Sequence, residues 1–251
     1  MNHTLFLPGS FRSSSDYIWL SEQLTGITDF YSVDSPLDST VAKLNSQISK
    51  SDCMHQLRRE IIYGSSSISN PNLDIPKSSS VLHSFLRQVR SRHNISLEDH
   101  EILKNTLVIG HSQGAGNAAV IAMDHLLLGA LLISGPADSF KNTPSTWTSL
   151  TKLTPSSRLR MFVHAEDRHC RMSLHHSAML QLSSVAILTE HSSLHNVLSA
   201  NVVVDTRPLP PLKSHDCLTF DCDLYDSFNR RYLASIVQYF GDLNATDYPA
   251  P

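Results

Sequence analysis

Residues 106–116 read TLVIGHSQGAG, an apolar run that gives way to a serine between two glycines. The apolar residues predict a buried strand over 106–110, and the small residues that follow predict a helix packed closely against a sheet. A G-x-S-x-G sequence at such a junction is typical of a nucleophilic serine, because the sharp strand-to-helix turn exposes the hydroxyl at the sheet edge. We therefore expect Ser112 to be a nucleophile. The alternative is a small-residue packing junction whose serine has no chemical role.

The two glycines that flank the serine support the chemical interpretation. Gly110 and Gly114 border the predicted turn, where a Cβ atom would crowd the neighbouring backbone. The turn also leaves the backbone amide of Gln113 at a helix N-terminus, where an N–H can stabilise an oxyanion. The motif thus supplies a nucleophile and one oxyanion donor.

The size and charge of the chain narrow the possible functions. With 251 residues, of which 41% are hydrophobic and 17% charged, the chain is expected to form one domain over residues 1–251, with a frayed tail from about residue 241. A net charge of −3 gives no electrostatic case for binding nucleic acid or an anionic membrane surface. No apolar run approaches the roughly 18 residues of a membrane span.

The N-terminus and the cysteines suggest a compartment. The first residues, MNHTLFLPGSFRSSS, have only a three-residue apolar run before Pro8 and Gly9, so they resemble a first strand and not a secretory signal. The four cysteines are too scattered for a disulfide scaffold and lack the spacing of a zinc site. We expect a cytoplasmic protein with free thiols, and the sequence indicates neither a metal nor an organic cofactor.

Strand-like and helix-like stretches alternate along the chain, which predicts an α/β fold with a parallel sheet. The stretch 63–79 is rich in Ser, Asn and Pro and is expected to be a loop. Helices are expected over 15–24, 39–62, 80–92, 113–127 and 225–240. Strands are expected over 3–7, 29–33, 106–110, 130–133 and 159–164, with a last strand at either 186–189 or 201–204.

Taken together, the strand, the GHSQGAGNAA turn and the small-residue helix resemble the α/β-hydrolase superfamily. REIIYG at 59–64 and SGPAD at 134–138 are similar to a branch of bacterial and plant members. The resemblance implies an α/β-hydrolase fold with a mostly parallel sheet flanked by helices, without the usual N-terminal antiparallel hairpin. It also implies a short or absent lid, since the polar connection 138–157 is brief. Finally, it implies a triad in the chain order serine, acid, histidine.

The acid is expected in a turn that follows a strand. LRMFVHAEDR supplies a short apolar strand and then a turn with two acids, and the second of such a pair is the usual triad member in this superfamily. We therefore expect Asp167 to be the acid, with Glu166 as an alternative in the same turn. Asp138 is a rival from the end of the preceding strand, although a turn or N-cap role suits it better.

The base must be chosen among fourteen histidines. A triad histidine belongs in the loop between the last strand and the terminal helix, and His215 in PPLKSHDC lies there. His191 and His195 would fit if the last strand were VAIL at 185–188. His111 is a common filler of its motif position and is expected to point elsewhere. Three further histidines follow the acid turn too closely: His169, His175 and His176.

The second oxyanion donor in this superfamily comes from the loop after an early strand. The matching sequence here is LFLPGSFRSS, in which Pro8 replaces the histidine of the usual HGG-type motif. Backbone amides bind the oxyanion, and proline has none, so Ser10 is the expected donor and Phe11 the alternative.

These residues predict a serine hydrolase that cleaves a small-molecule carboxylic ester through an acyl-enzyme. The same triad would also serve a thioesterase or an acyltransferase. A third possibility is a binding protein that keeps the fold without catalysis. The brief 138–157 connection predicts a rather open site that prefers short-chain esters.

Overall fold

The computed structural model describes residues 2–9, 12–33, 75–135, 158–167, 184–209, 214–219 and 226–242. Two 3-10 turns, Ser14–Tyr17 and Ser214–Asp216, accompany the regular elements. The helices are α1 (Ile18–Leu24), α2 (Ile75–His93), α3 (Asp99–Leu103), α4 (Gln113–Asp124), α5 (Leu194–Leu198) and α6 (Asp226–Asp242). The strands are β1 (His3–Leu7), β2 (Asp29–Ser32), β3 (Thr106–His111), β4 (Gly129–Ile133), β5 (Leu159–His164), β6 (Val185–Leu188) and β7 (Val202–Asp205).

The strands form one sheet in the order β2-β1-β3-β4-β5-β7-β6. Within the described residues every strand pairing is parallel, so the predicted α/β class is confirmed. Both candidates for the last strand are present, because β7 lies between β5 and β6 and pairs with each. The loop after β7 therefore begins beside β5, inside the sheet and not at its edge.

Apolar side chains cover both faces of the sheet. On β1, Leu5 and Leu7 face a core that includes side chains of α2 and α4, whereas Phe6 faces the core that includes α1 and α6. The alternation follows from the period of two residues along a strand. Both faces are therefore buried, as a parallel sheet requires, and the polar groups that remain available lie at the two ends of the strands.

Several predicted boundaries are wrong. Residues 75–79, predicted to belong to a loop, instead belong to α2, which spans Ile75–His93. Pro76 is compatible with this start, since proline lacks only an N–H that the first turn of a helix leaves unpaired. Helix α4 ends at Asp124 and not at 127, although Leu127 stays buried in the connection to β4. Helix α6 continues to Asp242, past the predicted start of a frayed tail.

Some predictions concern other parts of the chain. Three of them lie outside the described residues: the helix predicted over 39–62, the connection 138–157 and the tail over 243–251. Among the helices described, none has the length and apolar character to cross a bilayer.

Candidate active site

Ser112 occupies a strained corner between β3 and α4. Its backbone has φ 56° and ψ −116°, a left-handed conformation that is uncommon for a residue with a side chain. A Cβ atom on Gly110 would collide with the carbonyl of Gly114, and one on Gly114 would collide with the carbonyl of Leu7. Both glycines are thus required by close backbone contacts. The corner leaves Ser112 only partly buried.

Three side chains from distant parts of the sequence meet at this corner. The Ser112 Oγ atom lies 2.8 Å from His215 Nε2, and His215 Nδ1 lies 2.8 Å from Asp167 Oδ2. An ionised carboxylate can only accept, so the Nδ1–H group donates to Asp167 and Nε2 is left to accept the serine proton. The carboxylate is almost fully buried, whereas the His215 side chain is 23% exposed. The structure therefore brings together the three residues that the sequence selects.

The turn after β5 selects Asp167 over its neighbour. The Asp167 amide donates to the His164 carbonyl at 3.0 Å, which closes a tight turn. His164 Nδ1 accepts from the Glu166 amide at 3.1 Å, and its Nε2 donates to the Arg207 carbonyl at 2.9 Å. In this turn Asp167 points inward, while Glu166 is exposed to solvent. The alternative acid in the same turn is therefore not brought to Ser112.

The loop that carries His215 is anchored to the terminal helix. Asn229 of α6 donates to the Cys217 carbonyl at 3.0 Å and accepts from Arg207 at 3.2 Å. Arg207 in turn forms a fully buried ion pair with Asp205 at the end of β7, at 2.7 Å. Loss of one partner of such a buried ion pair strongly destabilises a fold, because the other charge stays buried without compensation. The anchor fixes both ends of the loop in which His215 sits.

A second hydrogen-bond chain runs behind the serine. The Gly9 amide donates to the Tyr17 hydroxyl at 3.0 Å, and this hydroxyl lies 2.7 Å from His111 Nδ1. His111 Nε2 lies 2.8 Å from the carbonyl of His215. Since a carbonyl only accepts, Nε2 carries the proton and Nδ1 accepts from the Tyr17 O–H. We call this chain of four residues, Gly9, Tyr17, His111 and His215, the Tyr17–His111 relay.

The relay requires a neutral imidazole, and its surroundings favour one. Burial, followed by the nearby His215, lowers the pKa of His111 to about 4. Burial also raises the pKa of Tyr17, which keeps its hydroxyl protonated. His111 thus forms its hydrogen bonds with Tyr17 and with the backbone of His215, and it points away from the Ser112 hydroxyl, as the sequence predicts. No local sequence pattern marks Tyr17 for this role, because it depends on contacts between distant segments.

Two backbone segments border the Ser112 hydroxyl as possible oxyanion donors. Gln113 is the first residue of α4, so its amide is among those that have no partner within the helix. Leu7 pairs with Gly110 in the sheet, and this register brings the loop after β1 alongside the serine. A Cβ atom on Gly9 would lie 3.2 Å from Ser112 Cβ. The predicted donor Ser10 and its alternative Phe11 lie outside the described residues.

The remaining candidates are not assembled at this corner. His191 and His195 are exposed beyond β6, at the edge of the sheet, so they are not the histidines that contact Ser112. One group of three possible metal ligands occurs within the described ranges, and it lies at the opposite end of the strands. Four of the residues weighed from the sequence lie outside the described residues: Asp138, His169, His175 and His176.

Comparison with known proteins supports the fold. Neither a protein-family model nor a curated protein sequence matches the chain. Among solved structures, an esterase from Pyrobaculum calidifontis is similar with a TM-score of 0.51 and 10% identity, over 97% of this chain and 77% of that one. A fungal esterase from Rhizomucor miehei gives a TM-score of 0.48 and 12% identity, over 97% and 76% of the two chains. The RedJ thioesterase of prodiginine biosynthesis in Streptomyces coelicolor gives 0.43 and 11%, over 93% and 85%.

The class of fold follows from the sheet and from the similarity to the Pyrobaculum esterase. A parallel sheet flanked by helices, with a strained serine corner after a central strand, has the architecture of an α/β-hydrolase. The chain has the α/β-hydrolase fold, as its sequence predicts.

Proposed function

We propose that this chain is a serine hydrolase that cleaves carboxylic esters through an acyl-enzyme. The observation that carries the proposal is the unbroken pair of hydrogen bonds from Ser112 to His215 and from His215 to Asp167, each 2.8 Å long. A serine hydroxyl is a poor nucleophile near neutral pH unless an oriented base accepts its proton. The hydrogen bonds support His215 as this base and the buried Asp167 carboxylate as the group that orients it.

The first half of the reaction acylates the serine. The Ser112 Oγ atom attacks the ester carbonyl carbon while its proton moves to His215 Nε2. The C–O bond to the alcohol then breaks, and the alcohol oxygen takes the proton back from Nε2. Asp167 stays ionised and stabilises the imidazolium that forms between these two steps. In the second half, water repeats the attack with His215 as base and releases the acid.

The oxyanion of each tetrahedral intermediate needs donors beside Ser112. The Gln113 amide, at the N-terminus of α4, supplies one, and the helix dipole favours negative charge there. We assign the second donor to the Ser10 amide, because the loop after β1 runs alongside the serine. The Tyr17–His111 relay connects Gly9, which precedes Ser10 in the sequence, to the backbone of His215.

Covalent labelling tests the proposal directly. A fluorophosphonate probe reacts with an activated serine, so the wild-type chain should be labelled and Ser112→Ala should not. Ser134→Ala is the matched control, because Ser134 also follows a central strand with a positive φ of 48° but is fully buried. The control should be labelled like the wild type. Absence of wild-type labelling, or labelling that persists in Ser112→Ala, would contradict an activated Ser112.

A substrate panel then separates the activities that one triad can perform. Esters and thioesters with butyryl and palmitoyl groups should be compared by kcat/KM, and we expect the butyryl ester to be the best. A preference for thioesters would indicate a thioesterase instead. A chain with this fold that only binds its ligand would hydrolyse none of the four compounds. The fold is shared with the Pyrobaculum esterase, which is consistent with ester hydrolysis.

A further inference from the structure

A second cluster of imidazoles and a carboxylate lies at the end of the sheet opposite Ser112. His3 opens β1, Asp29 opens β2, and the two are paired in register. His93 is the last residue of α2. The His3 Nδ1, Asp29 Oδ2 and His93 Nε2 atoms all lie within 4.8 Å of one another. Three different elements thus point one ligand atom each into the same small space.

Two of these three atoms are buried without a hydrogen bond. His3 is 5% exposed, and within the described part of the chain neither its Nδ1 nor the Asp29 Oδ2 has a hydrogen-bond partner. The Oδ2 atom lies 3.1 Å from His93 Nε2 and 3.7 Å from His3 Nδ1, but the shorter contact lacks the angle of a hydrogen bond. Native proteins rarely leave buried polar atoms unpaired, because each costs free energy. A cation placed between the two atoms would interact favourably with both.

We propose that His3, Asp29 and His93 bind a divalent transition-metal ion of the zinc type. Two imidazole nitrogens and one carboxylate oxygen form a ligand set that zinc uses, and water can complete the coordination. Ligands bound to zinc at its usual distances lie about 3.3 Å apart in a tetrahedron. The observed separations of 3.1 Å and 3.7 Å, with the third under 4.8 Å, need only small side-chain movements to match.

The chemistry of the donors narrows the choice of ion. Magnesium and calcium prefer oxygen ligands, so a site with two imidazoles disfavours both. Imidazole coordinates a metal only when it is neutral. The proposed ion would join β1, β2 and α2, and its role would be structural, since the length of β1 alone separates it from Ser112 by roughly 13 Å.

Tyr31 gives the proposal a specific consequence. Its hydroxyl lies 3.1 Å from His93 Nε2, and this is the bond that a metal would replace. The Tyr31→Phe variant removes the competing hydroxyl without removing a ligand. We therefore expect this variant to bind zinc at least as tightly as the wild type. A cluster that serves only as a hydrogen-bond network would lose a member in this variant and gain no metal.

Isothermal titration of Zn²⁺ into the purified, chelator-treated full chain tests the site. We expect the wild type to bind one equivalent of Zn²⁺ tightly, and His93→Gln to bind it at least about 100-fold more weakly. Loss of a residue that only hydrogen-bonds to a metal ligand already lowers metal affinity by about 10–100-fold, and His93 is a proposed ligand itself. Asp29→Asn, which preserves shape, should act similarly. His93 is the preferred target because it is partly exposed, so its loss is tolerated better than that of the buried His3.

Two controls separate this site from the other histidines. The exposed His191 lies beyond the opposite edge strand, so His191→Gln should leave the tight equivalent unchanged. His215→Ala should also retain it, which excludes binding at the serine corner. Zinc should raise the melting temperature of the wild type and not that of His93→Gln. Absence of a tight equivalent in the wild type, or its loss in either control, would overturn the proposal.

Discussion

The two ends of this sheet carry similar groups in different states. At the carboxyl end, Asp167 and Ser112 each have a hydrogen bond to a ring nitrogen of His215. At the amino end, His3 Nδ1 and Asp29 Oδ2 come close to one another without forming one. A complete chain of donors and acceptors suits proton transfer, whereas convergent unpaired acceptors suit a cation. The hydrogen-bond pattern, and not the residue types alone, therefore distinguishes the two clusters.

Replacement of the buried acid at the carboxyl end should have the largest effect. In Asp167→Asn the side chain can no longer hold the Nδ1–H form of His215, so the base is presented in the wrong tautomer. If the proposed mechanism holds, kcat for an ester should fall about 10⁴-fold, as it does for this substitution in a Ser-His-Asp triad. Steady-state kinetics on the best substrate of the panel would measure the loss.

Two carboxamide variants serve as controls for this prediction. Glu166→Gln changes the exposed neighbour in the same turn and should leave kcat within about twofold, in line with ordinary surface substitutions. Asp29→Asn changes the acid at the amino end and should leave ester hydrolysis similarly unaffected. If Glu166→Gln were the more damaging variant, the assignment of the acid would be wrong.

The difference between the ends also explains what the sequence could predict. The serine corner is encoded in contiguous residues, since Gly110 and Gly114 are needed by the same turn that presents Ser112. The acid follows a recognisable strand, and the base lies in the loop before the terminal helix. The amino-end cluster has no such local pattern, because it depends on the register of β1 with β2 and on where α2 ends. The sequence accordingly indicated no metal.

The limits of local pattern appear at the carboxyl end as well. The Tyr17–His111 relay could not be predicted from the sequence. Tyr17 lies in a 3-10 turn, and its partner His111 is 94 positions away, so only the folded structure brings the two together. The start of α2 was misplaced for a different reason. A stretch rich in serine and proline suggests a loop, yet proline is tolerated in the first turn of a helix, and Pro76 lies in the first turn of α2.

Backbone crowding at the carboxyl end predicts the next largest effect. In Gly114→Ala the new Cβ would meet the carbonyl of Leu7, which a β-strand cannot easily move. We expect the free energy of unfolding to fall by about 3 kcal/mol, the upper range for overpacking in a tight core. Urea unfolding monitored by circular dichroism would measure this change.

A helical glycine far from the corner provides the comparison. In Gly241→Ala the new Cβ would meet only the flexible side-chain end of Asn2, so the clash is easily relieved. Alanine also favours the helix by up to about 1 kcal/mol relative to glycine. This variant should be as stable as the wild type or more so. Equal destabilisation by both substitutions would show that the corner is not specially crowded.

The buried imidazole of the relay predicts a pH effect on stability. His111 has a pKa of about 4 in the folded chain, mainly because of burial and next because of His215, with Asp216, Tyr17 and Arg12 also nearby. The pKa of a histidine in the unfolded chain is about 6.5. Between pH 4 and pH 6.5 the unfolded chain therefore binds a proton at His111 that the folded chain does not bind. The contribution of neutral His111 to the free energy of unfolding is therefore at its full value above pH 6.5, and it is lost as the pH falls toward 4.

A substitution isolates that contribution. His111→Gln keeps a side-chain amide but removes the titration, so its unfolding free energy should depend less steeply on pH between 4 and 6.5. The slope should decrease by up to about 1.4 kcal/mol per pH unit. His191→Gln, which removes an exposed histidine, should keep the wild-type slope. Parallel curves for the wild type and His111→Gln would rule out a neutral buried His111.

Each end of the sheet has a tyrosine that is hydrogen-bonded to a histidine. Replacement of the tyrosine at the carboxyl end should change activity by the smallest amount among these predictions. Tyr17→Phe deletes the hydroxyl that joins the Gly9 amide to His111, so Gly9 loses its hydrogen-bonded connection to the backbone of His215. Loss of one such bond costs about 1 kcal/mol, which corresponds to about a fivefold decrease in kcat/KM. In the proposed mechanism the relay positions groups that act in the transition state, so the decrease should lie in kcat and leave KM unchanged.

The matching variant at the amino end tests whether this effect is local. Tyr31→Phe removes a hydroxyl bonded to His93 but does not touch the serine corner, so kcat should stay at the wild-type value. A general loss of packing would lower the stability of both variants without separating kcat from KM. If Tyr31→Phe reduced kcat as much as Tyr17→Phe does, the relay would have no specific role in positioning His215. The two ends would then be coupled through the sheet, and their assignment to separate functions would fail.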